Sequence, residues 1–260
     1  MKTNYHTHTT RCMHAVGSDE EYVLSAIKGG FQILGFSDHT PWNRTSYVAD
    51  MRMLPEELPE YIESLQYLRE KYRDQIDIKI GLECEYFPEY IPWLKEQIKK
   101  YQLNYILFGN HHFHTDEKFP YFGHHTNNRD MLDLYEESAI EGMESGLYNC
   151  LAHPDLFMRS YPKFDHHCAT ISRHICRTAA RLNIPLEYNI GYVAYNEEHG
   201  LNTYPCPNFW HIAANEGCTA IIGMDAHNNN DLEVPIYYER ALQELKELKI
   251  KTTDTLKMMY

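Results

Sequence analysis

Two histidines two apart, His6 and His8, open the chain's supply of chemically useful side chains, and His14 follows shortly after. Residues i and i+2 of an extended segment face the same side, so both rings of an H-x-H pair can reach one ion. Asp225 and His227 repeat that spacing near the other end. Between them come His39 in Ser37-Asp38-His39-Thr40, Glu83 and Glu85 in Gly81-Leu82-Glu83-Cys84-Glu85, His111 and His112 in Gly109-Asn110-His111-His112, and His153 in Ala152-His153-Pro154-Asp155. Imidazole with carboxylate is a donor set for zinc, iron or manganese rather than magnesium or calcium. The donors exceed what one ion needs, and a carboxylate such as Glu83 can bridge two. An isolated H-x-H or D-x-H means little, because a buried histidine bonded to a backbone carbonyl is commoner than a ligand. The recurrence is what points to metal.

Those residues need a scaffold that gathers them. Short apolar runs predict strands at 4–6, 33–37, 76–82, 105–109, 150–152, 185–189 and 220–223. Amphipathic patterns between them predict helices at 20–29, 56–72, 91–100, 128–145, 168–182, 208–216 and 237–248. Ser18-Asp19-Glu20-Glu21 has the form of a capping box. Pro55 before Glu56-Glu57 suits a helix start, where acidic groups meet the positive end of the dipole. Strands alternating with helices imply a parallel sheet. Seven short strands favour a barrel, with function on the loops after the strands. On such a barrel the candidate ligands of six strands meet on one rim. The G-x-G-x-x-G pattern of a dinucleotide fold is absent.

Composition narrows the classes. At 260 residues the chain fits one barrel-sized domain, and no apolar run approaches a membrane span. The N-terminus lacks the apolar stretch of a secretory signal, so a cytoplasmic location is expected. Seven cysteines without a C-x-x-C pair argue against a disulfide framework or a zinc–cysteine site. A net charge of −13, from 24 basic and 37 acidic residues, argues against general nucleic-acid binding. The 16 histidines are the unusual count, because histidine is a metal ligand more readily than a core filler. His166, His167, His174, His199 and His211 fall away from strand ends and read as surface or packing residues. His114, His124 and His125 follow the fourth strand, where they either meet a substrate or face solvent. The tyrosines, 21 of them, read as half-buried wall residues or as a stacking surface.

The ordered set His6-Thr7-His8-Thr9, His14, Ser37-Asp38-His39-Thr40-Pro41, Gly81-Leu82-Glu83, Gly109-Asn110-His111, Ala152-His153-Pro154 and Asp225-Ala226-His227 resembles the PHP family, named for polymerase and histidinol phosphatase. Cys12 to Ala15, followed by 35–41, resembles the histidinol-phosphate phosphatase branch. The resemblance implies one domain over 1–260, a distorted (β/α)7 barrel with its site at the C-terminal strand ends, and three divalent transition-metal ions. It implies His6, His8, Glu83 and Asp225 on one ion, Glu83, His111 and His153 on a second, and His14, His39 and His227 on a third. At the fourth strand the residues alone leave His111 and His112 open, and the family pattern implies His111. The implied reaction is hydrolysis of a small phosphomonoester, L-histidinol phosphate foremost, by a metal-bridging hydroxide attacking phosphorus in line. Asp225, or a histidine near it such as His39, is the expected general acid. A guanidinium fork matches two phosphate oxygens, so Arg159, on the loop after the fifth strand, is the expected phosphate clamp, with Lys163 as its nearest rival. Other phosphoesters (a sugar phosphate, a nucleotide end or a phosphotyrosine peptide) and a non-catalytic metal module are the competing readings. A barrel amidohydrolase is disfavoured, because no lysine stands at a candidate strand end.

Overall fold

The structure is a computed structural model that describes residues 1–43 and 51–260. Its parallel ladder runs in chain order: β1 (Thr3–Asn4), β2 (Ile33–Phe36), β3 (Asp77–Cys84), β4 (Tyr105–Gly109), β5 (Cys150–Ala152), β6 (Leu186–Asn189), β7 (Thr219–Gly223) and β8 (Lys251–Thr252). Above the ladder the chain after β1 meets the chain after β7 through parallel bridges, Thr7 to Ala226 and Val16 to Asn228. The His8 N–H donates to the Ala226 carbonyl at 3.0 Å, and the Ala226 N–H donates to the His6 carbonyl at 3.1 Å. The rim therefore closes between β1 and β7. β8 pairs with β7 lower down, and Thr3 Oγ1 donates to the Asp254 carbonyl at 2.7 Å. This is the expected distorted barrel, with an eighth strand the apolar pattern did not announce.

The helices are α1 (Asp19–Lys28), α2 (Leu58–Lys71), α3 (Ile91–Tyr101), α4 (Phe122–His125), α5 (Arg129–Glu144), α6 (His166–Leu182), α7 (Val193–His199), α8 (Pro207–Asn215) and α9 (Pro235–Glu247). Ser18 and Glu21 form the expected capping box on α1. The Pro55 start is a 3-10 turn, Pro55–Glu57, that leads into α2. Two of the short helices, α4 and α7, fall outside the sequence expectation. Among the described residues no helix is long and apolar enough to cross a membrane.

β1 stops at Asn4, two residues short of the expected end. The Asn4 side chain takes over the bonds a ladder would make: Oδ1 accepts from the His6 N–H at 3.2 Å and the Met224 N–H at 2.9 Å, and Nδ2 donates to the His6 carbonyl at 3.0 Å. β3 instead continues to Cys84, so Glu83 is presented from inside a strand.

Strand alternation sorts side chains into two environments. The larger apolar core packs the outer strand faces against the helices through Leu34, Phe36, Ile78, Ile106, Phe108, Leu151 and Leu186. A smaller cluster fills the barrel floor with Tyr5, Ile33, Tyr105, Leu107, Cys150 and Ile221, and Leu256 of the C-terminal tail joins it. Above that floor the inward positions turn polar. Glycine makes the room they need: a Cβ on Gly109 would lie 2.5 Å from Glu83 Oε1 and 2.6 Å from His111 Cε1.

The floor is tied to the rim by Tyr105, whose buried hydroxyl lies 2.6 Å from the Tyr5 carbonyl and 2.9 Å from the Phe36 carbonyl. Removing that hydroxyl strands buried acceptors, which costs about 1–3 kcal/mol. Tyr105→Phe is expected to lower unfolding free energy by about that amount, measured by denaturant titration with an unchanged m-value. A change under a few tenths of a kcal/mol would show that these carbonyls find other donors.

Candidate metal centre

Glu83 stands at the middle of the rim, buried on the inner face of β3. Its two carboxylate oxygens face different partners. Oε2 lies 3.4 Å from His6 Nε2, 3.6 Å from His8 Nε2 and 3.0 Å from His39 Nδ1. Oε1 lies 2.9 Å from His153 Nε2 and 3.2 Å from His111 Nε2. Asp225 Oδ1 adds contacts of 3.4 Å to His6 Nε2 and 3.2 Å to His8 Nε2. His14, His39 and His227 form a further group whose donor atoms lie within 4.8 Å of one another. The histidine and carboxylate residues singled out in the sequence are thus brought together, from β1, β2, β3, β4, β5 and β7. His111 turns its Nε2 into the group, 3.4 Å from His153 Nε2, while the His112 Nδ1 is 2.9 Å from the Phe119 carbonyl.

This donor set suits metal ions. His6 Nε2 and His8 Nε2 are 3.1 Å apart. A tetrahedral ion with metal–nitrogen bonds of about 2.0–2.1 Å needs neighbouring donors about 3.3 Å apart. Glu83 Oε2, His39 Nδ1 and His227 Nε2 are buried without a hydrogen-bond partner. Buried polar atoms are ordinarily paired, so these orphans mark places where another ligand belongs.

A second ring of carboxylates stands behind the rings. Glu187, on β6, has Oε1 2.7 Å from His6 Nδ1, and its Oε2 accepts from the His153 N–H at 3.0 Å and from Asn189 Nδ2 at 2.9 Å. Asp38 Oδ1 is 3.5 Å from His8 Nδ1, and Thr9 Oγ1 donates to Asp38 Oδ2. Glu85 Oε1 is 3.0 Å from His111 Nδ1. A carboxylate on Nδ1 fixes the tautomer and leaves Nε2 free as a donor to metal. The His153–Glu187 contact has a further use: His153 and Asp225 hold φ of 29° and 48°, left-handed values uncommon outside glycine. Such strain persists only where surrounding contacts over-determine it. Glu187 was not singled out in the sequence, because it lies within β6 rather than at a strand end. Its signal is a carboxylate at an inward position of an otherwise buried strand.

Electrostatics follow from this crowding. Burial pushes the His111 ring down, but Glu83 and Glu85 outweigh it and hold the ring at about 10. Burial opposes protonation of His8 too, and hydrogen bonds to Asp225 and Asp38 lift it to about 9. His6 is held well above its ordinary value, against burial, chiefly by Glu187 and Asp225. His39 and His227 fall to about 3, through burial and the neighbouring positive charge of His8. Glu83 stays well below the usual carboxylate range: burial would raise it, and His111, His6 and His39 prevail.

The site opens into a cavity of about 390 Å³ lined by His14, His39, Met51, Glu83, His111, Tyr121, His153, Arg159, Tyr192, Tyr204, Asp225 and His227, together with Gly191. Arg159 is the one guanidinium or ammonium among those lining residues. Its guanidinium carbon lies 4.7 Å from the Tyr192 ring centre and 6.0 Å from that of Tyr121, and Tyr192 stacks on Tyr204 at 5.1 Å. Lys163 is exposed and is not among the lining residues. Away from the site, His167 pairs with Asp133, His174 with Glu136 and His114 with Glu141. These are surface or loop contacts, as expected for the first two.

Imidazoles and carboxylates gathered at the C-terminal ends of parallel strands define a metal-binding barrel of the hydrolase kind. The chain belongs to the PHP domain family, whose model matches residues 4–190. It is 29% identical over 255 residues to a protein of Deinococcus radiodurans named "Probable histidinol-phosphatase", covering 95% of this chain and 94% of that one. It is 32% identical over 96 residues to the histidinol-phosphatase of Bacillus subtilis, covering 34% of this chain and 35% of that protein. The fold resembles that of histidinol phosphate phosphatase from Lactococcus lactis in complex with zinc, L-histidinol and phosphate. The TM-score is 0.74 and the identity 19%, over 100% of this chain and 99% of that one.

Metal must displace the protons that His6, His8 and His111 hold at neutral pH in the free protein. Adding zinc to chelator-stripped protein at pH 7 is expected to release protons from these rings, read with an indicator dye in weak buffer. His39 and His227, neutral already, add none. Zinc binding without proton release would mean that these rings are neutral before metal arrives.

Proposed function

We propose that the protein is a metal-dependent phosphomonoesterase that hydrolyses L-histidinol phosphate to L-histidinol and phosphate, in the cytoplasm, as a step of histidine biosynthesis. The observation that carries this reading is Glu83, which presents one oxygen to each of two ligand groups beneath a cavity with a guanidinium at its edge. The relatives named for histidinol phosphate, and the Lactococcus lactis neighbour with zinc, histidinol and phosphate, support the choice of substrate.

His6, His8, Glu83 and Asp225 would hold one ion, Glu83, His111 and His153 a second, and His14, His39 and His227 a third. Zinc, iron or manganese suits these donors. When bound, such ions supply a water acidic enough to act near pH 7 and positive charge opposite the phosphate oxygens.

The chain's own groups do the rest. Arg159 binds the phosphate as a fork, held in place by the tyrosine rings around it. Tyr121, Tyr192 and Tyr204 exclude water from one side of the cavity and offer flat surfaces to a ring-bearing substrate. In the metal-free chain Asp225 is held ionised, well below the usual carboxylate range, because His6 and His8 outweigh its burial. It can take a proton from the attacking water and return it to the alkyl oxygen as the phosphorus–oxygen bond breaks. Asn189 Nδ2, 3.1 Å from Asp225 Oδ2, orients that carboxylate. His39, which also lines the cavity and faces Glu83, is the second residue we assign to this proton transfer.

Two measurements test this. Protein purified without chelator is expected to contain about three transition-metal ions per chain, by elemental analysis, and to show a higher kcat/KM for L-histidinol phosphate than for sugar phosphates, nucleotides or phosphotyrosine peptides. One ion or none in folded protein would remove the three-ion site. A much better alternative substrate would keep the phosphatase and change its target.

Arg159→Ala is expected to keep the metals and to lose about 2–5 kcal/mol of transition-state stabilisation. Arg159→Lys should recover only part, since an ammonium cannot form the fork. Activity of Arg159→Ala within about twofold of the parent would place phosphate binding elsewhere, with Lys163 the next residue to replace.

A further inference from the structure

Behind the rim, on the side of β3 and β4, lies a buried arginine that takes no part in the chemistry described above. Arg52 Nη1 donates to Glu85 Oε2 at 3.1 Å and to the Thr40 carbonyl at 3.0 Å, and Nη2 donates to Glu85 Oε1 at 3.0 Å and to Asp116 Oδ2 at 3.1 Å. Trp42 Nε1 donates to Glu85 Oε2 at 2.7 Å. With the fork along one edge and the indole beside it, the Glu85 carboxylate is pinned in plane and rotation. Its Oε1 then accepts from His111 Nδ1 at 3.0 Å. That bond turns His111 Nε2 toward Glu83 and His153.

We propose that Arg52 is a positioning residue for the metal ligand His111, acting through Glu85. The inference rests on the ligand assignment above. Two features separate this role from plain stabilisation. A buried ion pair seldom adds net stability over an apolar filling, because desolvation offsets the attraction. The guanidinium also reaches two segments that carry site residues, and its own segment carries a third. Thr40 follows His39 and accepts through its carbonyl, Glu85 orients His111, and Met51, the residue before Arg52, lines the cavity. Thr40 is in turn bonded to the Glu83 carbonyl through its N–H, at 2.9 Å, and through Oγ1, at 2.9 Å. Partners of this kind behind a ligating histidine change metal affinity by about 10–100-fold when removed.

The test is zinc binding by the full chain, stripped of metal and titrated against a competing chelator dye, with thermal stability read alongside. Arg52→Met is expected to weaken one zinc by about 10–100-fold and leave the others within about threefold. That zinc should be the one lost in His111→Ala. In the His111→Ala background, adding Arg52→Met should leave the remaining zinc affinities unchanged. Glu85→Gln, close in shape and less disruptive, should weaken the same zinc, and Arg52→Lys should recover part of the loss. The inference is overturned if Arg52→Met lowers stability with all zinc affinities unchanged, or if it weakens zinc equally with and without His111. If His111→Ala removes no zinc, the ligand assignment fails first and the role of Arg52 with it.

Discussion

One buried carboxylate organises this protein. Glu83 faces five imidazoles through two oxygens, with almost no access to solvent. An ionised group so deep is costly unless it is paired. The surrounding histidines supply the pairing, and metal charge would complete it. That demand reaches into the strands. β3 must run far enough to present the residue inward, and β4 must have glycine alongside at Gly109. The apolar floor under the site must be sealed, which Tyr105, Leu107 and Leu256 of the tail accomplish.

The histidines impose a second demand. An imidazole offers a donor nitrogen to metal only when its other nitrogen keeps the proton, so each ring needs an acceptor behind it. Glu187 and Glu85 meet that need for His6 and His111, and Asp38 stands 3.5 Å from His8 Nδ1, each from a different strand end or strand interior. His14 and His227 use backbone carbonyls instead, of Cys12 at 2.7 Å and Asp225 at 2.9 Å. The division matters for charge. Carboxylates stand behind three of the rings that face Glu83, those of His6, His8 and His111, and neutral carbonyls stand behind two of the rings of the His14 group. Part of the acidic excess of the chain is therefore internal, spent on ligand orientation rather than on solubility.

The residues gathered at the rim were legible in the sequence because their spacing matches strand geometry. H-x-H, D-x-H and the glycine-flanked Glu83 and His111 place donors on one side of an extended chain, and the barrel order follows from strand–helix alternation. What escaped was whatever depends on contacts between distant segments. Glu187 sits among apolar neighbours within a strand, and nothing local says that a Cβ on the facing Gly223 would collide with it. Arg52 follows a stretch with no strand or helix signal, and its role exists only because Glu85 and Asp116 converge on it. β8 is two exposed residues paired at one edge, too short for a period to show. Arg159 was reachable because the loop after a barrel strand must overlie the rim; its tyrosine cradle, assembled from three loops, was not.

The charge balance also bears on which phosphate the proposed site would accept. A net charge of −13 disfavours approach of any polyanion. A single phosphate group has to reach only the one guanidinium among the described lining residues and the positive charge of the ions beneath it. The tyrosines narrow the entrance further, since Tyr192 and Tyr204 stack nearly parallel with Arg159 lying against the Tyr192 ring. A cavity of about 390 Å³ falls near the small end of ligand sites, which span about 300–1,000 Å³. Polar contacts at the floor would hold the phosphate, and the rest of the ligand would lie against flat aromatic walls. Those walls reward a planar group on a short tether and leave little room for a long peptide or nucleotide chain. Discrimination among phosphoesters in this barrel would then come less from the metals, which any phosphate satisfies, than from the loops after β4 and β6 that bring the tyrosines over them.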